Sequence, residues 1–160
     1  MNNLNKTHPA RLFEDRVTKV PVWFMRQAGR YHQHYQKIRQ QNDFMKMCKN
    51  PQLVQEITLG PIDDFHFDAA ILFSDLLFPL EHLGMGLSYL NGPPELSFRL
   101  KTLDDLNKIN PIKTPHQPIG ESFYSFQGQG IKLLREYFIK NQYPQGLIGF
   151  AGAPFTLYAY

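Results

Sequence analysis

Acidic residues are missing from positions 17–42, a stretch that nevertheless holds Lys19, Arg26, Arg30, Lys37 and Arg39. Cysteine is nearly missing as well, since Cys48 is the only one in 160 residues. A single thiol excludes an internal disulfide and a thiolate metal cage, and it fits a reducing cytoplasm. No stretch approaches the ~18 uninterrupted apolar residues that a membrane helix needs. The longest apolar run, "AAILF" followed by "LLFPL", is broken by Ser74 and Asp75. The opening "MNNLNKTHPARLFEDR" lacks the apolar centre of a signal peptide, so export is not expected. Internal repeats and low-complexity segments are absent too.

What is present suits a globular domain: 42% apolar residues, 14% aromatic and 19% charged. The length leaves room for one ordinary domain. The net charge of +3 hides an asymmetry. Residues 1–50 carry ten Lys/Arg against three Asp/Glu, whereas residues 51–110 carry three against nine. A basic first third calls for an anionic partner: nucleic acid, phosphate or carboxylate.

The spacing of apolar residues predicts a short helix in "PARLFEDRV", then a strand over 20–24 ("VPVWF") leading into "MRQAGRY". Residues 31–41 read as a helix with Tyr31, Tyr35 and Ile38 on one face. "KNPQLVQEITLGPIDDF" starts a helix with Asn50 as N-cap and Pro51 in the first turn, and Pro61 should kink or break it. Five apolar residues, 69–73, read as a strand buried on both faces, with Ser74 and Asp75 at its end. A short strand over 86–90, a capping box from Thr102 to Asp105 and an amphipathic helix over 119–140 follow. A last strand over 146–150 runs into a Gly/Pro turn and the start of a helix. Three or four buried strands alternating with helices indicate an α/β fold with a parallel sheet. Its polar residues follow strands, where parallel sheets bind ligands.

Arg26 and Arg30 admit two readings. A solvated helix face is one, although like charges four apart on a helix are mildly destabilising. The other is an anion site, because guanidinium forks match carboxylates and phosphates in bidentate fashion. Gly29 weakens a helix but lets backbone approach a ligand closely. Asp75 either caps the next helix, pairs with an arginine, or serves a ligand by accepting N–H bonds or stabilising a cation; an unpaired buried charge would be costly. His32 and His34 point apart on a helix, so no metal site is expected there. Cys48 reads as a small core residue. Tyr160, after the last turn, is either a core aromatic or a ligand contact.

"PVWFMRQAGRY" resembles the signature near the start of the uroporphyrinogen decarboxylase family. "CKNPQLVQEITLGPI", "FDAAILFSDLL", "LGMGLSY" and "LIGFAGAPFTLYAY" resemble its later blocks in the same order, with residues 91–145 divergent. The resemblance implies a cytoplasmic, homodimeric (β/α)8 TIM-barrel enzyme of haem and tetrapyrrole biosynthesis, with no metal and no organic cofactor. Such an enzyme removes four acetate carboxyls of uroporphyrinogen III as CO2 to give coproporphyrinogen III. A full barrel needs ~250 residues. Residues 1–160 would therefore be the N-terminal portion, roughly the first half, of one incomplete barrel domain, not expected to turn over substrate alone.

By the same resemblance Arg26, Gln27, Ala28, Gly29, Arg30 and Arg39 would bind or position substrate carboxylates. Phe44 and Met45 would touch the macrocycle, and Tyr160 would be an active-site tyrosine. Direct loss of CO2 from a pyrrole acetate would leave an unstabilised carbanion, whereas prior protonation of the ring creates an electron sink. Asp75 would bind the pyrrole N–H groups and stabilise that developing positive charge. Arg26 or a neighbour would deliver the proton. Two departures stand out: Phe155 replaces a usual tryptophan, and "RYHQHYQKIR" replaces an "RYLPEYR"-like run. Corrinoid-dependent methyltransferases of the same fold, which use zinc, are the rival within the superfamily, and the arginine signature argues against them. A non-catalytic anion- or nucleic-acid-binding fragment is the rival outside it. No nucleic-acid partner is expected, because the aromatics occupy core positions rather than interleaving with the cations.

Overall fold

The computed structural model describes residues 20–90, 92–110 and 123–160. The helix expected in "PARLFEDRV" and the first residues of the one expected over 119–140 lie outside them. The described residues fall into two compact units. The first runs to Ser74 and resumes over Phe126–Gly149, and the second comprises Asp75–Ser125 and Phe150–Tyr160.

The first unit holds α1 (Gln33–Gln41), α2 (Phe44–Lys49), α3 (Pro51–Phe65), β1 (Ala69–Ile71), α5 (Ser125–Lys140, from its second residue) and β2 (Gly146–Ile148). The strands β1 and β2 pair in parallel, Ala69 opposite Gly146 and Ile71 opposite Ile148. Ala69 and Ala70 are fully buried, as the apolar run requires. Val54, Leu59 and Ile62 of α3 form one core with Ala70, Leu72, and Leu134 and Phe138 of α5. A second core joins Tyr35, Ile38, Met47 and Ile57. This is a mixed α/β arrangement with a small parallel sheet.

The start of α3 follows its sequence: the Asn50 side chain accepts from the N–H groups of Gln52 and Leu53, both at 3.0 Å, and Pro51 needs no such bond. Its middle does not. Pro61 neither breaks nor ends α3, which continues to Phe65. A mid-helix proline costs roughly 3 kcal/mol, but every residue from Ile57 to Ile62 is buried here. Burial of that whole segment outweighs the lost hydrogen bond. Packing at Gly60 is tight: a Cβ there would stand 2.5 Å from the His34 ring, which would have to shift.

Two expected strands are not formed. Over residues 20–24 Val22 meets Asp68 but forms no ladder: its C=O accepts from Asp68 N–H (2.9 Å), while its N–H is taken by the Asp68 carboxylate (2.7 Å). Pro21 offers no donor, and a side-chain acceptor interrupts the ladder. Over residues 86–90 only Ser88 bridges to Glu95. Gly86 sits at φ +68° and Pro93 and Pro94 precede Glu95, so donors and extended geometry both run out. Two strands, not three or four, are therefore present among the described residues.

The second unit is built on α4 (Phe78–His82), a 3-10 turn (Leu103–Lys108) and α6 (Pro154–Tyr158). Its buried side chains are Leu77, Phe78, Leu80, Met85 and Leu87. The backbone bond from Ser97 N–H to Met85 C=O (2.9 Å) fastens the chain after the bridge to the chain before it. No helix of the described residues is long and apolar enough to cross a membrane.

Candidate functional site

In the first unit, the arginine signature is a turn, not a helix. Gln27 N–H donates to Phe24 C=O (3.1 Å), and Arg26, at the third position, has φ +64°. A left-handed backbone is unusual for a side chain as long as arginine's and must be held from outside. Gln27 supplies the hold. It is 2% exposed; its Nε2 donates to Ala69 C=O in β1 (2.9 Å) and its Oε1 accepts from Phe24 N–H (3.3 Å). The Tyr31 hydroxyl donates to the Gln27 carbonyl, and Gln36 Nε2 donates to the Arg30 carbonyl (2.6 Å). The neighbours of the two arginines are thus fastened through side-chain amides and a phenol.

The guanidinium groups themselves are exposed, and among the described residues neither has an ion-pair partner. Arg26 borders a hollow of about 330 Å³ lined with Phe24, Met25, Gln27, Tyr31, Phe65 and Phe67. Phe65 and Phe67 of this lining lie just before β1 in the chain. Burial raises the Tyr35 phenol above its ordinary pKa; Arg39 opposes the rise, Cys48 adds to it and Arg30 opposes it. Tyr35 and Phe44 both set their rings edge-on against Phe73, which follows β1. Tyr35 and Phe44 thus meet on Phe73, while Arg26 borders the hollow lined by Phe24, Phe65 and Phe67. Arg39 also donates to Asn42 C=O (2.7 Å).

Ala28 packs partly buried against the Tyr35 core. A Cβ on Gly29 would meet only ordinary contacts of 3.4 Å and longer, at a backbone angle open to any residue, so folding does not demand glycine there. His32 is a buried N-cap of α1 with Nε2 2.6 Å from Asp64 Oδ2. Tyr31 lies ahead of α1, exposed, and does not share the buried face of Tyr35 and Ile38. Among the described residues no three His, Cys, Asp or Glu side chains gather as a metal would require.

In the second unit, Asp75 is half-buried and uses both carboxylate oxygens. Oδ1 accepts from Leu77 N–H and Oδ2 from the Tyr89 hydroxyl, each at 2.7 Å. The first contact is the local turn bond that short acidic side chains make ahead of a helix. Tyr160 is exposed at the end of the stretch that follows α6. Sequence reasoning missed Tyr35 as a buried phenol that Arg39 and Arg30 influence, and Tyr89 as the donor to Asp75. Tyr35 stands four residues before Arg39, a helical spacing that carries the signal. Nothing in the spacing of Tyr89 announces its contact, which depends on a loop closing back.

The comparisons with known proteins bear on the whole of this arrangement. A family model described as uroporphyrinogen decarboxylase (URO-D) matches residues 5–160. The chain belongs to the uroporphyrinogen decarboxylase family. It is 44% identical over 144 residues to a uroporphyrinogen decarboxylase of Syntrophotalea carbinolica, covering 90% of this chain and 39% of that one. The corresponding protein of Geotalea daltonii is 42% identical over 144 residues, 90% of this chain and 40% of its own. That of Carboxydothermus hydrogenoformans is 39% identical over 158 residues, 98% of this chain and 43% of its own. The chain thus spans about two-fifths of the length of the curated relatives it matches. The arginine turn, β1 with Asp75 after it, and β2 with α6 all fall within the family match.

Proposed function

We propose that the protein containing this chain decarboxylates the four acetate side chains of uroporphyrinogen III, giving coproporphyrinogen III and CO2 without a metal or organic cofactor. Family membership across residues 5–160 carries the proposal. The relatives bear the name of that activity. The exposed guanidinium groups of Arg26 and Arg30 support it, since eight substrate carboxylates need cations that the protein has not already neutralised. Arg30 and Arg39 would engage carboxylates, and the grouped rings of Tyr35, Phe44 and Phe73 suit a macrocycle. Arg26 would act on a carboxylate or in proton delivery, with Gln27, Ala28 and Gly29 shaping the turn that bears it.

Asp75 would accept the pyrrole N–H groups and stabilise the cation formed when the ring is protonated. An ionised carboxylate has about four lone-pair sites, and two protein donors leave the others for substrate. The lowered cost of positive charge on the ring lets the departing carboxylate leave its electron pair in a conjugated system rather than on an isolated carbon. Tyr160 would contribute a further polar contact. In the same reading the chain is the N-terminal portion of a single (β/α)8 barrel in a cytoplasmic homodimer.

The product of the complete reading frame that encodes this chain, supplied with uroporphyrinogen III, is expected to release four CO2 per macrocycle with no metal added. Zinc-dependent methyl transfer to a thiol, with no CO2 released, would overturn the proposal.

A further inference from the structure

We infer that Tyr89 is a positioning residue for Asp75 in the decarboxylation proposed above, and the inference rests on that reading. An aspartate side chain turns about two bonds. The Leu77 N–H on Oδ1 comes from two residues along the same chain, so by itself it anchors one oxygen and lets the carboxylate pivot about it. The Tyr89 hydroxyl, fourteen residues away, holds the second oxygen and fixes the plane. An ionised carboxylate only accepts, so the phenol is the donor, and the bond is charge-assisted.

The phenol is aimed by its own surroundings. Ser88, one residue before it, exchanges both backbone bonds with Glu95 at 2.8 Å. Met85 and Leu87 are buried beneath the same loop, and Met85 accepts the Ser97 N–H. Gly86 makes room for this return: at φ +68°, a Cβ on it would stand 2.1 Å from Ser97 Oγ. The segment over 86–90, held to Glu95 and Ser97, therefore points the Tyr89 hydroxyl at the acid. Each Asp75 oxygen keeps a lone pair that no protein donor in the pair of bonds occupies, and both are held in fixed directions before substrate arrives. A carboxylate set in this way spends no free energy turning as charge develops on the pyrrole. Tyr89 touches the reaction only through Asp75.

Tyr89→Phe keeps the ring and removes the one atom that matters. In the complete protein it should lower kcat about tenfold, the loss of one charge-assisted hydrogen bond, while KM changes less than about twofold. Melting temperature should fall by at most a few degrees, the cost of one hydrogen bond in a loop that keeps its other ties. Combined with Asp75→Asn, the substitution should add little further loss, because the two act as one unit. Unchanged kcat in Tyr89→Phe overturns the inference, as does a full multiplication of the two losses in the double variant. A rise in KM with kcat intact overturns it too, since that would place the hydroxyl on the substrate. A parent protein that releases no CO2 removes the reading on which Tyr89 depends, whereas an active parent insensitive to Tyr89→Phe removes the role of Tyr89 alone.

Discussion

The arginine turn and the Asp75 loop hold their charges in opposite ways. At the turn, the hydrogen bonds are made by neighbours: Gln27 to Ala69 and Phe24, Tyr31 to the Gln27 carbonyl, Gln36 to the Arg30 carbonyl. The guanidinium groups at Arg26 and Arg30 are left over. At the loop the charged group is itself the tie, because Asp75 receives Leu77 and Tyr89. A cation that the scaffold does not use can be deleted with little effect on folding, and its loss is read in ligand affinity. A carboxylate woven into its loop carries structure and chemistry at once, and only an isosteric change separates them.

The largest effect should come from the isosteric change at the acid. Asp75→Asn still offers an oxygen to Leu77 N–H, and its amide can face a Tyr89 hydroxyl that now accepts. The loop survives and the charge does not. Turnover should fall about 100-fold or more, the scale found when a group aimed at developing charge is lost, with KM much less affected. Single-turnover release of CO2 measures it directly, and full turnover would remove the cation-stabilising role. Arg30→Ala should do the reverse. KM for uroporphyrinogen III should rise about 10- to 100-fold, the worth of a charge-assisted pair, while stability shifts by no more than about 0.5 kcal/mol, as for other surface changes. Thermal melting alongside steady-state kinetics separates the two quantities; an unchanged KM would mean that this guanidinium does not meet the substrate.

Gln27 tests the scaffold side of the same comparison. Gln27→Met keeps the volume but strands the Phe24 N–H and withdraws a donor from the Ala69 carbonyl. The expected cost is about 1–3 kcal/mol, seen as a melting temperature lower by several degrees. KM should rise as well, because Arg26 loses the anchor of its left-handed backbone. A variant as stable as the parent would show that the carboxamide does not hold the turn.

What the sequence made legible followed from local chemistry. Asn50 and Pro51 begin α3 as their side chains dictate, the apolar run at 69–73 supplies a buried strand, and "MRQAGRY" together with the later blocks points to the family. What it hid depended on long-range partners. Residues 20–24 and 86–90 have strand-like composition but no ladder neighbour among the described residues; Val22 N–H goes to the Asp68 carboxylate, Phe24 N–H to Gln27, and Ser88 forms a single bridge. Pro61 survives inside α3 because burial on all sides outweighs one absent hydrogen bond. The two signature arginines could be read as a pair on a helix face, yet the chain turns there and Arg26 is left-handed. Tyr89 reaches Asp75 only because Gly86 permits a loop that no local pattern encodes.

Asp105 sharpens the contrast by showing a carboxylate with little left to offer. Its Oδ2 accepts the N–H groups of Lys101 and Thr102, both at 2.9 Å, and its Oδ1 takes Lys108 Nζ at 2.6 Å. The Lys108 bond foremost, and then the two backbone donors, hold its pKa far below the ordinary 3.8. A carboxyl depressed in the folded state contributes stability above its unfolded pKa and loses it as pH falls through the folded one. The 3-10 turn over Leu103–Lys108 should therefore persist from neutral pH down to about 4 and loosen in stronger acid. The contribution is small, because Lys108 is exposed and salt screens the pair. Amide exchange at Lys101 and Thr102 follows the loosening locally, where global melting would not resolve it. Asp105→Asn should show the same loss of protection at pH 7 and leave kcat and KM untouched. Were turnover to fall with Asp105→Asn, spare lone pairs would no longer distinguish the acid that serves a substrate from the acid that ties a turn.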